Sequence, residues 1–236
     1  MFFIAIDKYP PPLTLPNCVK DANNILKILL TEYNFSNDYT IRLYDSLATR
    51  QNIYDTLGKL INILGKNDYL ILFFSGHGHY DSTFNVGSWI PVDAEVARFS
   101  DYIKNTEIVD AIGQMKAKHV LIIADACFSG TFFTKATSME ILDYELEKRA
   151  SRWALTSGRK ELVTVGSTFA NCIVSSLRNN NNQSIKISRL GPDVTEKVSN
   201  ALKDQTPCCE PIHIDMREGV DVIHEQGEFI FHRYFP

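Results

Sequence analysis

The chain has 236 residues, 44% hydrophobic and 22% charged, with a formal net charge of −4. That length suits one sizeable core and is short for two full domains. The mild acidity offers no clustered basic face for nucleic acid, and no apolar run nears the roughly 20 residues of a membrane span.

Residues 2–6 (Phe-Phe-Ile-Ala-Ile) form a short buried strand. The run is too short for a signal-peptide core and has no basic segment before it. It starts so abruptly that the natural chain is expected to extend further upstream. Tyr9-Pro10-Pro11-Pro12 then breaks regular structure, since three prolines cannot join a ladder. Val19, Ala22, Ile25, Leu26, Leu29 and Leu30 recur at helical spacing, with Asn17 as the expected cap. A strand over 40–44 follows. Thr49 then opens a helix with Ile53, Leu57, Leu60, Ile61 and Leu64 on one face and Gly65 as its stop.

Residues 68–74 are a strongly apolar strand that runs into Ser75-Gly76-His77-Gly78-His79. A minor extended piece (88–92) and a helix (106–115) lead to the apolar run 119–123. That run delivers Ala124-Asp125-Ala126-Cys127-Phe128-Ser129-Gly130. The alternation βαβαβαβ predicts an α/β fold with a mostly parallel sheet and helices on both faces. Ligands in such folds sit outside the carboxyl ends of the strands.

Beyond Gly130 the pattern weakens. Residues 136–150 permit a helix, 153–156 read as a strand ending at Ser157-Gly158, and 169–177 as a helix. The polar tract 178–182 reads as an exposed loop, Pro192 suits the first turn of a helix lasting to Thr206-Pro207, and 227–232 closes the chain as a strand. With no repeat and no clean linker, one domain is expected. Five cysteines (Cys18, Cys127, Cys172, Cys208 and Cys209), an odd number without regular spacing, argue against a disulfide framework and point to a reducing cytoplasm. Cys208 and Cys209 with His213 and His224 make a poor zinc set, because adjacent cysteines suit one tetrahedral ion badly, so no metal is expected there.

Two buried strands thus end in chemically loaded turns, one in His77 and one in Cys127. A thiol is a modest nucleophile until an imidazole takes its proton. Glycines on both sides of His77 let the backbone turn sharply, and the amides of Gly78 and Cys127 are candidates for an oxyanion hole. Taken singly, the cysteine also reads as a small buried hydrophobe and the histidine as an ordinary hydrogen-bonded group.

Phe73-Phe74-Ser75-Gly76-His77-Gly78 and Asp125-Ala126-Cys127-Phe128-Ser129-Gly130 resemble the two catalytic motifs of caspase-like cysteine peptidases, on the bacterial caspase-like and metacaspase branch; a histidine about 50 residues before the cysteine is a spacing reported for caspases. Residues 5–10 and 15–22 are similar to that family's opening strand and first helix. Trp153-Ala154-Leu155-Thr156-Ser157-Gly158, Ser167-Thr168-Phe169-Ala170, Gln205-Thr206-Pro207 and residues 227–231 are similar to later landmarks. The resemblance implies a caspase-like three-layer sandwich over 1–236, with a large-subunit-like part about 1–130, a linker about 131–151 and a small-subunit-like part about 152–236. It implies a cysteine endopeptidase in which His77 is the base and Cys127 the nucleophile, forming a thioester, with no obvious third member.

It also implies that Asp21 and Asp125 line the primary specificity pocket and favour cleavage after Arg or Lys, since two carboxylates together favour a cation. The other reading of Asp21 is an exposed first-turn acid at a helix N-terminus. Ser157 and Gly158 are expected as another wall of the cleft. The acidic cluster with which some metacaspases take calcium is thin here: Asn105 and Thr106 precede Glu107, and Asp93 stands apart, so calcium independence is expected. Lys135, Lys148 and Arg149 offer self-cleavage sites in the linker. The implied partner is a protein or peptide substrate, with a possible upstream sensor and, by analogy only, a role in bacterial defence. The strand around Phe229 is open either to dimer pairing or to cover within a monomer. The competing readings are a catalytically silent interaction module of the same fold and thiol acyl transfer.

Overall fold

Alternation of apolar side chains along buried strands fixes which helix covers which face. A computed structural model describes residues 1–126, 143–158, 167–212, 214 and 227–234. The elements are β1 (Phe2–Ala5), α1 (Cys18–Glu32), β2 (Ile41–Tyr44), α2 (Arg50–Ile63), β3 (Tyr69–Ser75), β4 (Gly78–Asp81), β5 (Val86–Trp89), β6 (Ile103–Lys104), α3 (Asn105–Gln114) and β7 (His119–Asp125). They continue as α4 (Asp143–Lys148), β8 (Ser151–Thr156), α5 (Thr168–Arg178), β9 (Ser184–Lys186), α6 (Ile187–Ala201), β10 (Cys208–Pro211) and β11 (Ile230–His232).

The central sheet has the order β10-β8-β7-β3-β1-β2. Its strands run parallel except β10, which lies antiparallel on β8. Phe3, Ala5, Ile71, Phe73, Leu121, Ile123 and Leu155 point to the side covered by α1, α5 and α6. Phe2, Ile4, Leu70, Leu72, Phe74, Val120, Ile122 and Ala124 point to the side covered by α2 and α3. This period-2 split of continuous apolar runs makes three layers, as an α/β sandwich requires.

Several local expectations give way to other interactions. Asn17 precedes α1 in the left-handed region (φ 72°) without a side-chain cap; Asp7 Oδ1 instead accepts the Val19 amide at 3.3 Å. Helix α2 runs as expected, with Thr49 Oγ1 accepting the Asn52 amide at its start and Leu64 as its C-cap directly before Gly65. Asn180 in the polar tract is buried, where its amide reaches Tyr33 Oη and Asn182 O. Pro192 lies inside α6 rather than in its first turn, because the helix starts five residues earlier, where Glu228 Oε1 accepts the Ser188 amide.

The closing segment leaves the central sheet and pairs β11 with β9, while the Asn34 amide donates to His232 O on its other side. The place on β8 goes to β10, whose successive Cys208 and Cys209 side chains therefore face opposite sides of the sheet. Cys209 packs into the core beside Gly191, a geometry that does not bring the two thiols to one ion.

Arg152, fully buried at the start of β8, donates to the carbonyls of Ile112, Met115, Ala117, Lys118 and Ser151 at 2.8–3.3 Å. It ties the end of α3 and the turn before β7 to the sheet.

At the amino edge, buried His119 donates from Nε2 to Glu147 O (3.0 Å), and its Nδ1 lies 2.8 Å from Ser151 Oγ, whose hydroxyl donates to it when the ring is neutral. Burial holds its pKa down at about 4, below the ordinary 6.5. The unfolded chain therefore binds the extra proton first, and stability falls as pH drops from about 6.5 towards 4. The expected loss from this residue approaches about 3 kcal/mol near pH 4; urea unfolding at pH 7 and pH 4 should show a smaller loss in His119→Gln, and an equal loss would contradict the assignment.

Candidate active site

Both loaded turns leave the same edge of the sheet from neighbouring strands. Strands β3 and β7 pair in parallel with Ser75 opposite Asp125, and the Gly76 amide extends the ladder to Asp125 O at 3.4 Å. His77 and Cys127 each follow two residues beyond these partners. Cys127 lies outside the described residues, as does most of the 131–151 linker; Ala126, the last described residue before it, is buried.

His77 is buried and held from two directions by the loop between β1 and α1. Its Nε2 donates to Leu13 O at 2.6 Å, and its backbone amide donates to Tyr9 Oη at 3.0 Å. The Tyr9 ring stands edge-on to the imidazole, centroids 4.7 Å apart. Burial holds the imidazole below its ordinary pKa, and the bond to Leu13 O opposes that shift. With Nε2–H committed to a carbonyl, Nδ1 is the nitrogen left to act as a base. The orienting group that the sequence did not offer is thus a main-chain oxygen, presented by a turn in which Leu13 N donates to Pro10 O and Leu15 N to Asp7 O.

Gly78 opens β4, opposite Trp89. The Ile90 amide donates to His77 O, so the alternation of an antiparallel ladder turns the Gly78 amide away from β5.

Asp125 and Asp21 are both buried, at 3% and 4% exposure, which removes the reading of Asp21 as an exposed first-turn acid. Asp21 Oδ2 accepts the Ser167 amide at 2.8 Å, joining α1 to the N-terminus of α5, where Ser167 Oγ caps the helix through the Ala170 amide. Cys18 is hydrogen-bonded to the Ser75 side chain and feels both acids. Burial pushes its thiol up to about 12, and the carboxylates of Asp7, Asp125 and Asp21 add to the rise. Cys18, Ser75 and Asp7 therefore belong to the same group of interacting side chains as Asp21 and Asp125. The apolar spacing of α1 had marked only its core face, so sequence alone did not single them out.

Ser157 and Gly158 follow β8 on the other side of β7. The Ser157 amide donates to Ala124 O (3.0 Å), its Oγ to Ala126 O (3.5 Å), and Gln205 Nε2 donates to Ser157 O (2.8 Å). Gly158 has φ +64°, and a Cβ there would lie 1.8 Å from Thr206 O. The segment Gln205-Thr206-Pro207 thus presses on this wall and leaves room only for glycine.

The acids considered for calcium serve helix ends. Asp93 Oδ1 accepts the Arg50 amide at the start of α2 (2.8 Å), and Glu107 Oε2 accepts the Lys104 amide before α3 (2.7 Å). Among the described residues, no three His, Cys, Asp or Glu side chains cluster as a metal site.

Comparison with known proteins adds four findings. Over 143 residues the chain is 29% identical to Metacaspase-1 of Eremothecium gossypii, covering 54% of this chain and 31% of that protein. Over 130 residues it is 31% identical to Metacaspase-1 of Lodderomyces elongisporus, covering 48% of this chain and 29% of that protein, so the match spans less than a third of either relative. A solved structure of a Geobacter sulfurreducens protein superposes with a TM-score of 0.63 at 16% identity, covering 96% of this chain and 97% of the other, which is a likeness of fold. The caspase-domain peptidase family matches residues 2–215, nearly the whole chain, and the chain belongs to that family of cysteine peptidases.

Proposed function

We propose that the protein is a cysteine endopeptidase that cuts protein chains after Arg or Lys. The observation that carries this reading is the pairing of Ser75 with Asp125, from which His77 and Cys127 are equally spaced. Neutral His77 takes the Cys127 thiol proton at Nδ1, and the thiolate sulfur attacks the scissile carbonyl carbon. The Gly78 and Cys127 amides receive the charge that develops on the carbonyl oxygen. Protonated His77 gives its proton to the departing amine, leaving a thioester. Water, deprotonated by His77, then attacks the thioester and releases the new carboxylate and the thiol. Burial disfavours the charged ring, so more of the imidazole is neutral at a given pH than in an unperturbed histidine, which supports the role of base.

The buried acids Asp21 and Asp125, with Asp7 beside them, support selection of a guanidinium or ammonium group. Ser157 and Gly158, followed by the Gln205 segment, support an adjoining cleft wall. Self-processing in the linker is part of the same reading, and the best support is for a cut before α4. The Arg149 and Glu228 amides donate to Leu146 O, and the Gly227 amide to Ala150 O, so the chain around Lys148 and Arg149 is bonded at the amino edge of the sheet, opposite the dyad. Activity without calcium is supported by the engagement of Asp93 and Glu107 at helix ends.

A digest of a denatured proteome in the presence of a calcium chelator, with Cys127→Ala in parallel, tests the reaction. Expected are new termini after Arg and Lys that are absent with Cys127→Ala. Cuts after Asp, cuts that survive Cys127→Ala, or activity restored only by calcium would contradict it. For the pocket, Asp21→Asn keeps an oxygen for the Ser167 amide and removes the charge. Catalytic efficiency on an arginyl reporter should fall about ten- to a hundred-fold, the scale of a lost charge-assisted hydrogen bond; an unchanged value would remove Asp21 from recognition.

A further inference from the structure

We propose that Tyr9 is a positioning residue for the base, holding the His77 backbone through a hydroxyl inserted into the β-ladder; this rests on the reading of His77 and Cys127 given above. Tyr9 Oη donates to Ile90 O at 2.8 Å and accepts the His77 amide at 3.0 Å, while the Ile90 amide donates directly to His77 O at 3.0 Å. In an ordinary antiparallel pair, both bonds between residues 77 and 90 would be direct. Here one is direct and the other is relayed by a side chain from a different part of the fold, so the strands open by one oxygen at the residue that carries the base.

The surroundings are built for this hydroxyl. A Cβ on Gly76 would lie 2.5 Å from Tyr9 Oη, so the glycine before the histidine leaves the space that the hydroxyl fills. Tyr9 is fully buried, and burial pushes its phenol well above the ordinary value, so it remains a donor to Ile90 O. The same loop supplies Leu13 O to the imidazole Nε2, so the backbone and the ring of His77 are fixed from one segment. Without the hydroxyl, the 77–90 pair is free to close, and the base shifts relative to the thiol while the aromatic packing stays. A misplacement of about 1 Å in a reacting group costs up to about a hundred-fold in rate.

The experiment compares wild type, Cys127→Ala, Tyr9→Phe and Tyr33→Phe on one reporter peptide, with the alkylation rate of Cys127 by iodoacetamide read by peptide mass mapping. Tyr33 is the control. It is also a buried tyrosine donating to a main-chain carbonyl, Leu177 O at 2.8 Å, and packs in the core that covers the opposite face of the sheet from α2 and α3. Tyr9→Phe should lose about ten-fold or more in kcat with KM within about two-fold, and Cys127 alkylation should slow in parallel, while Tyr33→Phe keeps the wild-type kcat. Wild-type kcat in Tyr9→Phe, an equal loss in Tyr33→Phe, or a loss confined to KM would overturn the proposal. If Tyr9→Phe does not fold, Gly76→Ala, which pushes on the hydroxyl, should give the same selective fall in kcat, and wild-type kcat there would overturn it equally. A wild-type enzyme no more active than Cys127→Ala would instead overturn the peptidase reading itself.

Discussion

The in-register pairing of β3 with β7 is the constraint on which the rest of the site depends. Every residue of β7 is buried, and all of β3 except Tyr69, so each side chain is committed to one of two covered faces. A slip of one residue would send Phe73 and Ile123 to the side of α2 and α3 and exchange the two core sets, a cost spread over the whole strand. The ladder therefore brings Ser75 against Asp125 without help from His77 or Cys127. On β3 the turn beyond begins at Gly76, whose amide extends the ladder to Asp125 O and so sets where His77 leaves the sheet.

What the ladder cannot do is orient side chains past its end. That falls to segments crossing the carboxyl edge from elsewhere. The β1–α1 loop reaches over β3 with Tyr9 and Leu13 and fixes His77 by backbone and ring. The start of α5 reaches Asp21 through the Ser167 amide, and the Gln205 segment reaches Ser157. Long-range hydrogen bonds of this kind tie both halves of the chain to one edge, so the placement of Asp21 and of Ser157-Gly158 depends on the fold being complete. Arg152 and His119 work lower down, near the amino edge, locking the ends of α3 and α4 to the sheet.

The layered α/β architecture was legible because its signals are local: unbroken apolar runs for β1, β3 and β7, helical spacing for α1, α2, α3 and α5, and Thr49 as a cap. His77 and Cys127 stood out because glycines and polar residues interrupt apolar strands at the place where such sheets bind ligands. The strand β10 escaped notice because Cys208-Cys209-Glu210-Pro211 has little strand propensity, and its position is set by pairing with β8. Pro192 misled because a proline inside a helix looks like a first turn when the real start is stabilised by Glu228, forty residues away. The orienting carbonyl of Leu13 has no sequence signature at all, since every residue carries that atom. Tyr9 looked like part of a proline-rich break, and Asn17 like a cap, because their roles depend on partners distant in the chain.

The proposed function joins a histidine-dependent thiol nucleophile to a cation-selective pocket at this sheet edge. It is tested most directly by the rate at which peptidyl arginyl and aspartyl chloromethyl ketones alkylate Cys127 in wild type and in His77→Ala. The arginyl reagent should label Cys127 at least about ten-fold faster than the aspartyl one, and His77→Ala should slow that labelling by a similar factor, on the scale of general-base and charge-assisted contributions. Equal rates for the two reagents, or labelling indifferent to His77→Ala, would contradict it.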